Sequence, residues 1–344
     1  MPSVLANRRR SLRRAFDDRL AMNILMTGSS GWLAQTLVPL LKRRGHRVVG
    51  LDLRPSPTTD IVGSIVDRAT VRAALRDHDI EAIVHAAALH RPHLATHDNS
   101  AFVATNVQGT LNLLEEAAAP QSRVDRFVFS STTALMVSQE IRDMQERGAD
   151  SAVWITEELA PLSPRSIYGV SKLSAEQLCR MIHDLSGLPV VVLRLGRFFT
   201  EDDDTHGLIQ SGPNARANEF LFRRLTVEDA AEAHLAALVR AREIGFDTFI
   251  ISALTPFHPD DCEQLMTYAP LVVHHYFPRY REIYGRRGWS MFDWIDRVYD
   301  SNKAVRRLGF ACRTGFGHIL AQLDREDAGK EASPPVPSPP TLTP

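Results

Sequence analysis

Residues 23–37 read NILMTGSSGWLAQTL. An apolar run of strand length stops at Gly28, a second glycine follows at Gly31, Ala34 stands three positions further on, and apolar residues then recur at helical spacing. This is the pattern of a strand, a tight turn and a helix. Small residues at these positions let the chain turn sharply, let a bulky anion approach the amides at the helix start, and let the helix pack close on the strand. Taken alone, the same glycines also describe an ordinary strand-to-helix turn.

The flanking chain favours the first meaning. After the turn come HRVVGLDL, EAIVHAAA, DRFVFSS, PVVVLRL and DTFIISA, separated by helical patterns at about 68–76, 102–119, 167–184 and 227–242. Short strands that are apolar throughout and alternate with helices predict a parallel sheet covered on both faces, a Rossmann-type α/β fold. Asp52 closes the second strand, where a carboxylate can accept hydrogen bonds from two ribose hydroxyls. A dinucleotide is therefore expected, with Gly28, Ser30, Gly31 and Trp32 at its pyrophosphate turn. A carboxylate repels a ribose 2′-phosphate, so Asp52 favours NAD, while Arg54 two residues later keeps NADP open.

The domain plan follows from the same pattern. Residues 22–195 with 226–254 form the expected NAD-binding domain. Residues 196–225 with 255–325 hold most of the aromatic residues in less regular stretches and are expected to form a smaller, discontinuous substrate-binding domain. Residues 1–21, with RRRSLRR, read as a disordered extension, and 326–344 as a disordered proline-rich tail.

Composition removes other classes. Lysine plus arginine (40) nearly balances aspartate plus glutamate (41), so no net field favours nucleic acid or a membrane surface. No stretch approaches the roughly 18 apolar residues of a membrane-spanning helix. Cys179, Cys262 and Cys312 stand far apart without a CxxC pair, which points to a reducing cytoplasm and neither to a disulfide framework nor to zinc. His85, His90, His93 and His97 crowd HAAALHRPHLATH, but the segment supplies no evident carboxylate-histidine geometry for a metal; His85 reads as a packed histidine and the loop as a substrate contact. Arg279, Arg281, Arg286 and Arg287 read either as an anion clamp or as a solvated helix face.

Chemistry is expected in PRSIYGVSKLSAEQL. Tyr168 and Lys172 stand four apart on a helix and share a face. A nearby ammonium would stabilise phenolate and let the phenol exchange a proton with an alcohol. YxxxK also occurs by chance, but here it follows DRFVFSS, whose hydroxyls Ser130, Ser131 and Thr132 should emerge at the same edge of the sheet.

TGSSGWLA, LDLRP, VHAAA, TNVQGTLNLLEEA, RFVFSST, ITEELAPLSPRSIYGVSKLSAE and LRLGRF, in this order, resemble an extended short-chain dehydrogenase/reductase of the NAD-dependent epimerase/dehydratase family over about residues 22–325. The resemblance implies Tyr168 as acid/base, Lys172 as holder of the nicotinamide ribose, and Thr132 as the hydroxyl on the reacting oxygen. It places Ala86 and Ala87 against the cofactor and Asn106 near the active site, either as a contact or as a structural bridge. Trp32 stands where the family often has an arginine, which again favours NAD.

Three departures narrow the expectation. Thr133, Ala134 and Leu135 occupy the place of the acidic pair of the family's dehydratases. Residues 200–222 alone separate GRFF from RRLTVED, which puts the nucleotide half of a nucleotide-sugar substrate in doubt. Ser64 stands where an adenine-side acid is expected, leaving Asp67 as a helper. The implied activity is a cytoplasmic epimerase of carbohydrate metabolism, an isomerase acting on a sugar or sugar nucleotide; a net dehydrogenase or reductase comes second, and a non-catalytic NAD-binding sensor or scaffold third. Apolar residues on more than one face of two helices, Val107, Leu111 and Leu114 on one and Leu173, Leu178 and Ile182 on the other, predict a homodimer.

Overall fold

The computed structural model describes residues 21–198, apart from Gln145 and Arg147, and residues 212–331. The expectations for residues 1–20 and 332–344 lie outside the described residues. The strands are β1 (Asn23–Thr27), β2 (Arg47–Asp52), β3 (Ile61–Val62), β4 (Ala82–His85), β5 (Arg126–Thr132), β6 (Val153–Ile155), β7 (Val190–Leu195), β8 (Phe246–Ile251) and β9 (Arg297–Tyr299). Seven of them form one parallel sheet in the order β3-β2-β1-β4-β5-β7-β8. Strand order reverses between β1 and β4, which opens a crevice at the carboxyl edge, where open α/β sheets bind ligands.

Both faces are covered because the strands are apolar on both sides. On one face Leu37 and Leu41 of helix Trp32–Arg43 and Ala230 and Leu238 of helix Val227–Ile244 pack on Ile24, Val128 and Val191. On the other, Val71, Leu113, Ala175 and Cys179 from three further helices pack on Leu25, Phe127 and Phe129. The expected helix at 102–119 begins earlier, at Asn99, and contains a π-helical stretch, Val103–Gln108, before Gly109–Ala118.

A second core lies beyond the sheet and gathers Phe220, Phe222, Phe257, Leu265, Tyr284, Phe292 and Phe316. It also takes in Ala152 and Trp154, and β6 pairs with β9. Residues 149–155 thus join this unit, although the expected boundaries leave them in the first domain. The helix Phe316–Glu331 likewise continues past residue 325, where the tail was expected to begin.

The two apolar stripes differ from those expected. Leu114 is fully buried and Ile182 nearly so, both in the sheet core, Val107, Leu111, Leu173 and Leu178 are half-buried, and the most exposed apolar residues of these helices are Val103, Val170, Met181 and Leu185, the last 77% exposed.

One element has no periodic signal. After β2 the segment LRPSPTTD folds back as a strap beneath the glycine turn. Thr58 Oγ1 donates to the Ser29 carbonyl (2.6 Å), Ser29 and Thr59 join hydroxyls (2.8 Å), and the Gly50 amide donates to Asp60 Oδ2 (2.8 Å). The fit requires a hydrogen at residue 50, because a Cβ there would lie 1.9 Å from the Thr58 carbonyl oxygen and 2.8 Å from Ser29 Cβ. Gly50→Ala should therefore displace the strap and lower stability by about 1–3 kcal/mol, the usual scale of overpacking. Denaturant titration checks it; an unchanged midpoint would show that the strap is not held against β2.

Candidate active site

The glycine turn stands between β1 and the helix Trp32–Arg43. Gly28 has φ of +72°, and a Cβ on it would meet Ala87 N at 2.7 Å and the Ala86 carbonyl carbon at 2.9 Å. Only glycine permits this approach of β1 to the residues after β4. The following helix starts at Gly31 without a side-chain cap and without an acid in its first turn, so its amides point at whatever enters the crevice. Ser30 Oγ is buried with no hydrogen-bond partner. Asp52 accepts the Ser30 amide on one carboxylate oxygen and the Arg54 amide on the other, both at 3.0 Å, which fixes the acid beside the turn. These groups fit a dinucleotide: amides and a spare hydroxyl for pyrophosphate, and an oriented carboxylate for a ribose.

A cleft of about 1230 Å³ runs from this turn along the carboxyl edge of the sheet, large for one small ligand. Gly28, Ser30, Gly31, Trp32, Asp52, Ala86, Ala87, Thr132, Tyr168 and Lys172 all line it. Asn106 does not line it. Its amide receives the Leu89 N–H (2.8 Å), donates to the Leu89 carbonyl (2.9 Å) and meets Ser171 Oγ (2.9 Å), so it ties the loop after β4 to the helix Ile167–Ser186. Asp67 does not line the cleft either; it caps the helix Arg68–Asp77 through the Ala69 amide and the Thr70 hydroxyl.

The strand pleat separates the three hydroxyls at the end of β5. Ser130 donates to Nε2 of buried His234 (2.7 Å), whose Nδ1–H faces the Ala230 carbonyl (2.7 Å). Ser131 donates to Glu176 on the opposite face, where Arg194 Nη2 meets the same carboxylate at 2.7 Å. Thr132 remains at the cleft, hydrogen-bonded to Tyr168.

Tyr168 and Lys172 share a helix face as expected, but burial pushes both toward their neutral forms. It raises the Tyr168 phenol to about 12, against the pull of its hydrogen bond with Thr132. It lowers the Lys172 amine to about 7, against the pull of Cys179 and Glu176. The Lys172 amine sits 3.9 Å from the Phe129 ring centroid and the residue is 2% exposed. The expected lowering of the phenol by the ammonium is thus overridden by desolvation.

The histidine loop also lines the cleft. His90 and His93 rings stand edge-on at 4.6 Å and His93 and His97 at 5.4 Å. Nδ1 of His93 accepts the His90 amide, which commits that lone pair to the loop itself. His85 is fully buried between Thr27 (2.7 Å) and Thr110 (2.9 Å). Arg279, Arg286 and Arg287 do not reach the cleft. Asp324 takes Arg279 (3.1 Å) and Arg286 (2.5 Å), and Asp327 takes Arg287 (2.6 Å), so this patch fastens the last helix. The arginines that do line the cleft are Arg54, Arg91, Arg142, Arg165, Arg197, Arg223 and Arg297. They come from separate segments of the chain, and no spacing in the sequence groups them.

The sequence pattern of the NAD dependent epimerase/dehydratase family matches residues 24–251, and the chain belongs to that family. Among characterised proteins it is similar to a UDP-glucose 4-epimerase of Erwinia amylovora, 32% identical over 46% of this chain and 48% of the relative. It is also similar to an L-arabinose 1-dehydrogenase (NAD(P)(+)) of Haloferax volcanii, 32% identical over 52% of this chain and 68% of the relative. The chain spans about half the length of the matched epimerase. A short-chain dehydrogenase/reductase superfamily protein of Agrobacterium tumefaciens, solved with bound NAD, shares the fold, with a TM-score of 0.61, 24% identity and coverage of 90% of this chain and 99% of that one.

The depressed Lys172 amine has a thermodynamic consequence. An unfolded lysine releases its proton near 10.5 and the folded one near 7, so between these values the unfolded chain holds the extra proton. In the absence of cofactor this residue's penalty is full below pH 7 and fades as pH rises through that window. Lys172→Met should raise the thermal midpoint near pH 7 and remove this gain between pH 7 and 9. Melts of both chains across that range test it; parallel curves would show that the amine is not desolvated.

Proposed function

We propose that the chain is an NAD-dependent enzyme that oxidises a sugar hydroxyl and, by returning the hydride to the other face, epimerises that carbon. One observation carries the reading: Tyr168, Lys172 and Thr132 meet in the same cleft as the glycine turn and Asp52. Gly28, Ser30, Gly31, Trp32, Asp52, Ala86 and Ala87 would hold NAD in preference to NADP, with Lys172 near its nicotinamide end. When bound, NAD supplies the reversible hydride acceptor, and loss of the ketone before hydride return would make the net reaction a dehydrogenation.

The protein's own part is proton handling. Tyr168 takes the hydroxyl proton from the substrate and gives it back. Thr132, already hydrogen-bonded to Tyr168, steadies the same oxygen. Lys172 supplies the charge that favours phenolate once it is protonated, and Glu176 one turn along the helix supports that protonation. Elimination chemistry finds no carboxylate where dehydratases carry theirs, since Thr133 hydrogen-bonds to the Leu195 carbonyl and Leu135 is buried. Net dehydrogenation is the second reading, supported by the similarity to the arabinose dehydrogenase.

Incubation with NAD and a panel of sugars and sugar nucleotides should yield NADH absorbance or a product of altered stereochemistry. Tyr168→Phe should bind NAD normally and lose roughly a hundredfold or more in turnover, the scale of a general acid/base. A chain that binds NAD and converts nothing would favour the sensor reading.

We also propose a homodimer in which the continuous helical segment 99–118 and the helix Ile167–Ser186 pair with their copies. The outward Val103, Val170, Met181 and Leu185 support it, because such a patch is costly to leave in water. Light scattering at micromolar concentration should give twice the chain mass, and Met181→Glu should give a monomer; a monomeric parent chain with full activity would refute this assembly.

A further inference from the structure

Beneath the cleft a run of buried hydrogen bonds joins two of its walls. Its centre is His85, fully buried at the end of β4 and outside the cleft lining. The ring packs against Phe127 and Phe129, with centroids 6.0 and 5.5 Å away, and the same Phe129 ring seats the Lys172 amine. Nδ1 meets Thr27 Oγ1 at 2.7 Å, and Nε2 meets Thr110 Oγ1 at 2.9 Å.

These partners decide which nitrogen carries the proton. A hydroxyl has one proton to give. Thr110 gives its own to the Asn106 carbonyl at 2.7 Å, so it accepts from His85, and Nε2 bears the hydrogen. Burial, with the Lys172 charge nearby, holds the imidazole neutral, which leaves Nδ1 as an acceptor. Thr27 donates to Nδ1 and accepts the Ala87 amide at 3.2 Å. The opposite tautomer would aim the Ala87 and His85 N–H groups at one buried Thr27 oxygen and deprive its proton of the Nδ1 acceptor.

The run is therefore ordered from end to end: Ala87 N–H to Thr27, Thr27 to His85, His85 to Thr110, Thr110 to the Asn106 carbonyl. The Asn106 side chain extends it, donating to Ser171 Oγ at 2.9 Å, and Ser171 donates to the Tyr168 carbonyl at 3.0 Å. One end is Ala87, in the cleft wall against Gly28; the other is the backbone of Tyr168. Thr27, Thr110, Asn106 and Ser171 stand outside the cleft lining, as His85 does. Loss of one link leaves a buried donor unpaired and weakens its neighbours, because hydrogen bonds in such a run polarise one another.

We propose that His85, fixed in its Nε2–H form, is a positioning residue that holds the cleft wall at Ala87 and the start of the Tyr168 helix as one unit. The inference deepens the sugar-oxidising reading above and rests on it for the roles of Ala87 and Tyr168.

Long-range proton–nitrogen NMR of the full chain labelled in histidine, with His85→Gln to assign the ring, should show the neutral Nε2–H form at pH 7. The variant arm uses Thr110→Val, which removes the hydroxyl at nearly constant shape, and Thr110→Ser, which keeps it. Without NAD, amide exchange of residues 86–90 should rise several-fold in Thr110→Val, with β8 unchanged, and return toward the parent rate in Thr110→Ser. NAD affinity should fall about fivefold or more in Thr110→Val, the lower end of coupling between separate sites, and recover in Thr110→Ser. An Nδ1–H or doubly protonated ring, or unchanged exchange at 86–90, would overturn the proposal. So would exchange that rises equally in β8, which marks general destabilisation, or unaltered NAD affinity in Thr110→Val when the parent binds NAD. A parent chain that binds no NAD would overturn the proposed function instead, and the NMR and exchange results would still decide this inference.

Discussion

The contact on which the cleft depends is the approach of Gly28 to Ala86 and Ala87, with 2.7 Å between a notional Cβ and the Ala87 nitrogen. It lets β1 and β4 part at the switch point without leaving a side chain between them. The helix beginning after Gly31 can then present its bare amides to the crevice, and Asp52 can reach back to the Ser30 amide. The strap at 56–60 braces the same turn from below through Ser29. Glycine is thus required twice, at 28 for a positive φ and close backbone passage, and at 50 for the strap.

The sheet was legible because its strands are apolar throughout and its helices are amphipathic, so periodicity and burial agree. The turn, Asp52 and the Tyr168–Lys172 pair were legible because each depends on local spacing. Asn106 was only half legible: its position suggested the site, while its hydrogen bonds to Leu89 and Ser171 make it a bridge beside the cleft. The arginines divide along the same line. Arg279, Arg286 and Arg287 are neighbours in sequence and read either as a clamp or as a solvated helix face, and acids of the last helix take them. Arg142, Arg197, Arg223 and Arg297 are distant in sequence and line one cleft only because β6 pairs with β9 and Arg197 bridges to Arg224 after β7. No window of sequence contains that information.

Desolvation also explains why the Tyr168–Lys172 pair departs from expectation. Helical spacing says that the two groups share a face, but not what medium surrounds them. The Lys172 amine lies over Phe129, with the Glu176–Arg194 pair beyond it, and the penalty for holding charge there exceeds the help from nearby acid. A site built this way trades stability of the free chain for a proton that is ready to move, which is where a fold is expected to violate its own packing rules.

Trp32 and Phe198, whose rings lie 6.0 Å apart, join the glycine turn to the segment after β7. Two positions separated by most of the sheet domain therefore share one volume. A smaller residue at either would open a gap beside the other ring, and a larger one would push against it. In a lineage of such chains the two positions should drift together, one aromatic lost only when its counterpart is replaced, so that their history of substitution is a single record kept at two places.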